Sequence, residues 1–424
     1  MKILLTNYRY FISGGPERYL FNVQARLAQQ GHTVIPFSVD YARNQATPLS
    51  RYFVSPIGSR DQVYFDQHGK SPVVVLKTLS RLFYSQEVEQ AVVRVVDEQQ
   101  PDVAYILHYL RKLSPSLLVG LKKRNIPIVV RLSDYAMLCP QAHCLREGEP
   151  CTLCARGDLW PSIRNKCLKG SLPATLLNAM ATWFHRQRKY FDLIDIFVCT
   201  NKFMHRMMVE AGYPENRLVC IPTCTELDLF SPVTSYNKGD YIVYCGRVTP
   251  LKGVHVLLEA YALLQEKGYG SVRLKIAGTG EPDYLELCLR IVKENNLDAQ
   301  VDFVGEVATG ELPQLLSGAR FSVVPSLWFE NLPNSLLESM ACGTPVVASD
   351  IGSLSSCINE GKNGFLFSPG NAKDLSGKMI LCLEDEELLN RMAKNARLES
   401  VERFGPARHL DTLVNVFQGL LPKS

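Results

Sequence analysis

The sequence predicts an α/β protein of two doubly wound domains, each on a parallel sheet, with a cleft between them. Three observations carry that prediction. The chain has 424 residues, more than a single hydrophobic core usually spans. Short runs rich in Val and Ile recur along it, many of them separated by helical patterns, the alternation that gives parallel sheets covered by helices. A polar, turn-rich stretch, LDLFSPVTSYNKGD at 227–240, breaks the pattern before a new strand begins.

The elements follow in order. MKILLTN is a short apolar run ending in a polar loop. In PERYLFNVQARLAQQGHTV, Tyr19, Leu20, Val23 and Leu27 recur at helical spacing, and Gly31 closes that helix before a strand from His32. VVVLKTLSRLFYSQEVEQAVVRVVDEQQPDVAYIL reads as helices and then a strand after Pro101. NIPIVVRLSD, DIFVCTN and NRLVCIPT add strands to the first half; DYIVYCGR, VRLKIAGTG, VDFVGEV, FSVVPSL and TPVVASD build the second. Ligands of open α/β sheets sit beyond the carboxyl ends of the strands, so the loops after these strands are where function is expected.

Composition narrows the class. The chain is 46% hydrophobic and 21% charged, as soluble globular proteins are. Asn7 and Arg9 interrupt the apolar N-terminus, so it does not read as a signal peptide. No apolar run approaches the roughly 20 residues of a membrane-spanning helix, and a cytoplasmic location is the expectation. Thirteen cysteines, mostly in apolar segments, argue for reduced thiols. The net charge of +4 hides an asymmetry: residues 1–220 hold 28 Lys and Arg against 17 Asp and Glu, residues 221–424 hold 18 against 25. A basic first half suits an anionic surface or substrate. Its basic stretches LKKRN (121–125), RNKCLKG (164–170) and FHRQRKYF (184–191) mix cations with apolar residues, which suits an anionic membrane surface. Nucleic acid fits less well, because no binding motif accompanies them.

The chemistry concentrates in PSLWFENLPNSLLESMACGTPVVASDIG. Pro333 and Asn334 open a helix and Gly343 ends it. Leu336, Leu337 and Met340 suit its core side, whereas Glu338 faces about 200° away from Leu336. Glu330 precedes the helix in the loop beyond the strand. Carboxylates accept hydrogen bonds from sugar hydroxyls, and the helix start between these two suits a phosphate. The alternative for a bare Glu pair is a solvated helix residue and a loop charge. In YCGRVTPLKG, Arg247 and Lys252 stand on a loop with Gly246 and Gly253, a plausible diphosphate clamp. In KIAGTGEPD, Gly278 and Gly280 allow close backbone approach at a strand end. Gly14 and Gly15 precede the first helix.

The ordered set GG at 14–15, GRVTPLKG at 246–253, AGTG at 277–280, FVGEV at 303–307, ENLPNSLLE at 330–338, ACGTPVVASDIG, NGFLF and ERFGPARHLDTLVNVF resembles the retaining glycosyltransferases of family 4. The resemblance spans nearly the whole chain and implies the GT-B fold, two facing Rossmann-like domains with a deep interdomain cleft. It implies an N-terminal acceptor-binding domain over 1–225, completed by a C-terminal helix at about 408–424, and a donor-binding domain over 226–407. It implies transfer of a sugar from a nucleotide-diphosphate sugar to a lipid-linked or polysaccharide acceptor in cell-surface glycan synthesis. The basic balance of the first half, not the resemblance, adds the expectation that the cytoplasmic protein docks peripherally on the inner membrane face to reach a lipid-linked acceptor. By the same resemblance, Arg247 and Lys252 hold the donor diphosphate, Glu330 the transferred sugar and Glu338 the ribose. Asn331 and Leu332 offer backbone N–H groups, Gly15 and the loops at Gly246 and Gly278 approach the donor, and the base lies near Val304. No cofactor is required for catalysis. The family often has His-Asp where this chain has Ser133 and Asp134, and Asp134 is kept as a candidate catalytic residue. A non-catalytic nucleotide-sugar-binding or scaffolding protein is the alternative.

Five cysteines crowd 139–167, and CTLC is a C-x2-C knuckle that suits a closed zinc site. The segment, an insertion at about 139–170, is similar to a cysteine-bearing insertion of some family members. That resemblance points to Cys139, Cys151, Cys154 and Cys167 as structural zinc ligands, with Cys144 or His143 as a substitute.

Overall fold

Two six-stranded sheets, parallel throughout, organise the chain. The structure is a computed structural model describing residues 1–69, 71–233 and 239–422. The break expected at 227–240 lies partly outside the described residues, as do the last two residues of the helix expected at about 408–424. The first sheet contains β1 (Lys2–Asn7), β2 (Thr33–Phe37), β3 (Val103–His108) and β4 (Ile128–Leu132). A short antiparallel hairpin, β5 (Leu145–Arg146) and β6 (Glu149–Pro150), stands apart, and β7 (Ile196–Cys199) and β8 (Leu218–Cys220) complete the sheet. The second contains β9 (Tyr241–Cys245), β10 (Arg273–Ala277), β11 (Val301–Gly305), β12 (Ser322–Val324), β13 (Val346–Ser349) and β14 (Gly364–Phe367).

The strand orders are β2-β1-β3-β4-β7-β8 and β11-β10-β9-β12-β13-β14. Each sheet therefore reverses its winding once, between β1 and β3 and between β9 and β12. Loops diverge at such a point and leave a crevice beyond the strand ends. Both faces of these sheets are covered, which is why the strands read as continuous apolar runs. Val103 to Ile106 and Ile128 to Val129 are inaccessible to solvent. The two sheets are the Rossmann-like pair of the GT-B architecture.

The last helix, Pro406–Leu420, packs on the first sheet although it follows the second. Its Leu410, Leu413 and Phe417 share a core with Ile3, Leu5 and Tyr105, and His409 Nε2 lies 2.8 Å from the Tyr19 hydroxyl. Two local readings needed correction. NGFLF forms a sixth strand of the second sheet, β14, where no strand was expected. The LKKRN stretch is not a free basic patch: Lys122 pairs with Asp195 at 2.6 Å, Lys123 with Glu89, and Arg124 with Asp97 at 2.6 Å. Those carboxylates come from other elements, so the stretch alone did not reveal them.

Candidate functional site

The crevice of the second sheet is shaped by backbone crowding. A Cβ at Gly278 (φ +139°) would overlap the Gly246 carbonyl, and one at Gly253 (φ +67°) would overlap that of Pro325. Only glycine lets these strand ends and loops close, and their closure brings Lys252 to Glu330. Glu330 Oε1 accepts from Lys252 Nζ at 2.6 Å, from Ser326 Oγ at 2.7 Å and from Trp328 Nε1 at 2.9 Å. Glu330 is 5% exposed. Burial pushes its pKa up, but the Lys252 charge and these three donors outweigh burial and hold it below the usual carboxylate range.

The helix Asn334–Ala341 starts after Pro333 and carries Glu338. Glu338 does turn from its own domain's core, yet it is only 7% exposed, because the first half covers it. Among the described residues, the cation that hydrogen-bonds to it is Arg18 of helix Gly15–Gln29, whose Nη2 lies 3.2 Å from Oε1. Here burial wins over Arg18 and the pKa is raised. Gly15, Arg18, Glu226, Asn334 and Glu338 line one pocket. A Cβ on Gly15 would stand 3.0 Å from the Asn334 amide, so two helix starts face each other there, both presenting free N–H groups.

The other expected residues are spread along the cleft. Asn331 ties the halves together: its Nδ2 donates to the Leu132 carbonyl at 2.9 Å, and its own carbonyl accepts from Thr200 at 3.3 Å and from Asn201. Leu332 is buried with Leu336 in an apolar cluster. Val304 is exposed on β11. Arg247 is exposed, its carbonyl accepting from the Tyr244 hydroxyl at 2.6 Å, and its charge reaches His143.

Asp134 lies on the opposite wall, after β4, in a pocket with Tyr64, Arg9, His108, Arg111 and His143. Its Oδ1 accepts from the Ala136 N–H at 2.8 Å and its Oδ2 lies 3.8 Å from His108 Nε2. His108 Nδ1 is 3.2 Å from the Asn7 amide oxygen. With Nδ1 donating to Asn7, Nε2 carries the free lone pair. Burial lowers the His108 pKa despite Asp134 and so favours the neutral ring. Sequence reasoning missed His108 by looking for a histidine after β4. The overlooked signal was its place at the end of β3, beside the reversal of the first sheet.

Cys139, Cys144, Cys151, Cys154 and Cys167 line a single pocket as free thiols. A hydrogen bond from Cys144 brings the Cys139 thiol down to about 6 against burial, and burial lifts that of Cys154 to about 11. Among the described residues no three His, Cys, Asp or Glu are spaced to hold a metal ion. The segment also props the Glu330 wall: the His143 ring meets Trp328 edge-on at 5.9 Å.

Residues 228–399 match the family model described as "Glycosyl transferases group 1". The match covers the second sheet, with Arg247, Lys252, Glu330 and Glu338 inside it. An uncharacterized glycosyltransferase of Methanocaldococcus jannaschii is 28% identical over 205 residues, 48% of this chain and 54% of that protein. The N,N'-diacetylbacillosaminyl-diphospho-undecaprenol alpha-1,3-N-acetylgalactosaminyltransferase of Campylobacter jejuni is 27% identical over 226 residues, 50% of this chain and 57% of that protein. The chain spans about half the length of the curated relatives it matches. The crystal structure of Anabaena HepE in complex with UDP superposes over 99% of this chain and 100% of that one, with a TM-score of 0.67 and 18% identity. That likeness carries the fold.

Proposed function

We propose that the protein is a retaining glycosyltransferase that moves a hexosyl group from a nucleotide-diphosphate sugar to a lipid-linked or polysaccharide acceptor in cell-surface glycan synthesis. The observation that carries this reading is the buried Lys252–Glu330 pair at the winding reversal of the second sheet, beside two facing helix starts. A cation and free N–H groups aimed at one crevice suit a diphosphate and the charge it gains on leaving. Lys252 and Arg247 would hold that diphosphate. Glu330, kept ionised, would accept from the hydroxyls of the transferred sugar. Glu338 would exchange Arg18 for the ribose hydroxyls, with Gly15 and the N–H groups of Asn331 and Leu332 at the phosphates and sugar and Val304 beside the base. Across the cleft, neutral His108 and Asp134 would face the sugar and the acceptor. His108 would then serve where Ser133 cannot. The diphospho-undecaprenol in the name of the Campylobacter relative supports the lipid-linked class of acceptor, and UDP in the HepE complex supports a nucleotide donor. Ser133 favours a second reading, a protein that binds the donor without turnover.

Turnover separates the two. The purified chain with a panel of nucleotide sugars and a lipid extract is expected to release nucleotide diphosphate and form a product whose anomeric configuration, read by NMR, is that of the donor. Lys252→Ala is expected to lose about a hundredfold or more in rate. Donor binding without turnover would leave the second reading standing, and an inverted product would overturn retention.

The zinc reading also stands as a proposal, on Cys139, Cys151, Cys154 and Cys167. The convergence of the thiols in one pocket supports it, although they would have to draw together to reach tetrahedral Zn–S distances of about 2.3 Å. Stoichiometric zinc in the purified protein, and a fall in melting temperature on chelation, are expected. Metal-free protein with the same melting temperature would end the proposal.

A further inference from the structure

The helix Leu172–Gln187 is amphipathic the wrong way round for a soluble protein. Its buried face holds Thr175, Asn178, Thr182 and His185 with small alanines. These polar groups are satisfied inside: Asn178 donates to the Pro140 carbonyl, Thr182 to the Asn178 carbonyl at 2.9 Å, and His185 Nε2 lies 2.8 Å from the Leu82 carbonyl. The solvent face holds Leu172, Leu176, Met180 and Trp183, exposed by 46, 43, 50 and 57%. At about 100° per residue these four fall within a quarter-turn of one another, a single stripe. The helices Trp160–Arg164 and Pro72–Phe83 pack against this one. They carry exposed apolar residues of their own, Trp160, Val73 and Leu76, at 66, 74 and 70%. Exposed apolar faces of this kind mark a docking surface.

Charge selects the occupant. From Leu159 to Phe191 the chain has no acidic residue, and it carries Arg164, Lys166 and Lys169 before the helix and Arg186, Arg188 and Lys189 at and beyond its end. All but Arg186 are exposed. A rim of cations round an apolar stripe matches an anionic bilayer, with its headgroups outside and acyl chains beneath. The stripe also borders the pocket of His108 and Asp134: Tyr64 and Phe65, both about half exposed, line that pocket, and the adjoining Asp66 pairs with Lys169 at 3.7 Å. Among the described residues no helix is long and apolar enough to cross a membrane.

We propose that the face formed by helices Leu172–Gln187, Pro72–Phe83 and Trp160–Arg164 seats the protein on an anionic membrane surface. The pocket of His108 and Asp134 then opens at headgroup level. The docking stands on the exposed stripe and its cations, while delivery of a lipid-linked acceptor to that pocket rests on the transfer reading above.

Flotation of the full chain with vesicles tests this. Vesicles of phosphatidylcholine and phosphatidylglycerol are expected to carry the protein at low salt, and phosphatidylcholine alone to carry little. The double variant Leu176→Gln with Trp183→Gln is expected to weaken binding about tenfold or more. Arg164→Gln with Lys166→Gln is expected to weaken it by about fivefold per charge. Arg124→Gln, in the paired basic stretch, is expected to float like wild type. These positions are exposed, and an unchanged melting temperature verifies the fold of each variant. Wild type that stays with the soluble fraction, or an apolar-stripe variant that floats as wild type does, overturns the proposal. So does a wild-type dimer that the stripe variant converts to monomer without any vesicle binding, since a second copy would then be the occupant. Donor turnover with detergent-solubilised acceptor, run alongside, separates the two readings. Turnover without flotation removes the docking alone, and flotation without turnover removes the transfer alone.

Discussion

Glu330 and Glu338 are the same side chain eight residues apart, both buried, and they end with opposite shifts. The Glu330 carboxylate finds its partners within the second half of the chain: Lys252, Ser326 and Trp328 all come from loops of the same sheet. The Glu338 region is completed from outside, by Arg18, 320 residues away and across the cleft. Motion between the halves would leave the first pair intact and break the second. A pre-built anion beside a cation suits the reacting end of a ligand, and an anion whose partner can withdraw suits a group exchanged on binding.

Removing each cation should break that symmetry most visibly. Lys252→Met leaves Glu330 buried without its counter-charge, and unfolding by urea is expected to show a loss of about 3–5 kcal/mol. Arg18→Met is expected to cost less, about 1–3 kcal/mol, because Glu338 can take up a proton and because Arg18 is 29% exposed. Equal losses would erase the distinction. A smaller effect comes from pH. Glu330 has a lowered folded pKa, so its ionisation contributes stability above the unfolded value, and that stability is lost as pH falls through the folded one. Glu338 has a raised folded pKa, so the penalty for ionising it grows as pH rises from the unfolded value through the folded one. Glu330→Gln should therefore flatten the acid side of the stability profile, and Glu338→Gln should gain relative to wild type on going from acid to neutral pH. Profiles that change in the same direction would refute the assignment.

The sheets were legible because buried parallel strands must be apolar on both faces, and Val-Ile runs such as VAYIL and IPIVV betray that. The Lys252–Glu330 pair was half legible: its two loops stood out, yet their direct contact depends on Gly253 packing against Pro325. Arg18 lay beyond reach, since nothing local ties it to Glu338. His108 hid because β3 and β4 are adjacent in space while 19 residues of loop and helix separate them in sequence. Charge runs misled where counter-ions came from elsewhere, as with Lys122 to Arg124. From Leu159 to Phe191 no acidic residue intervenes in the sequence, yet there too Lys169 meets a carboxylate from elsewhere, Asp66. The inverted helix Leu172–Gln187 could not be read from periodicity, which gives a stripe but not the side that faces solvent.

The most direct test of the donor cleft is a thermal-shift panel of nucleotide-diphosphate sugars on the wild type, Glu338→Ala and Arg247→Ala. A ligand that binds only the folded state raises its apparent stability by mass action. The account predicts that one donor class raises the wild-type melting temperature and that both variants lose the response. A panel in which no donor shifts melting, or in which the variants respond as the wild type does, would contradict it.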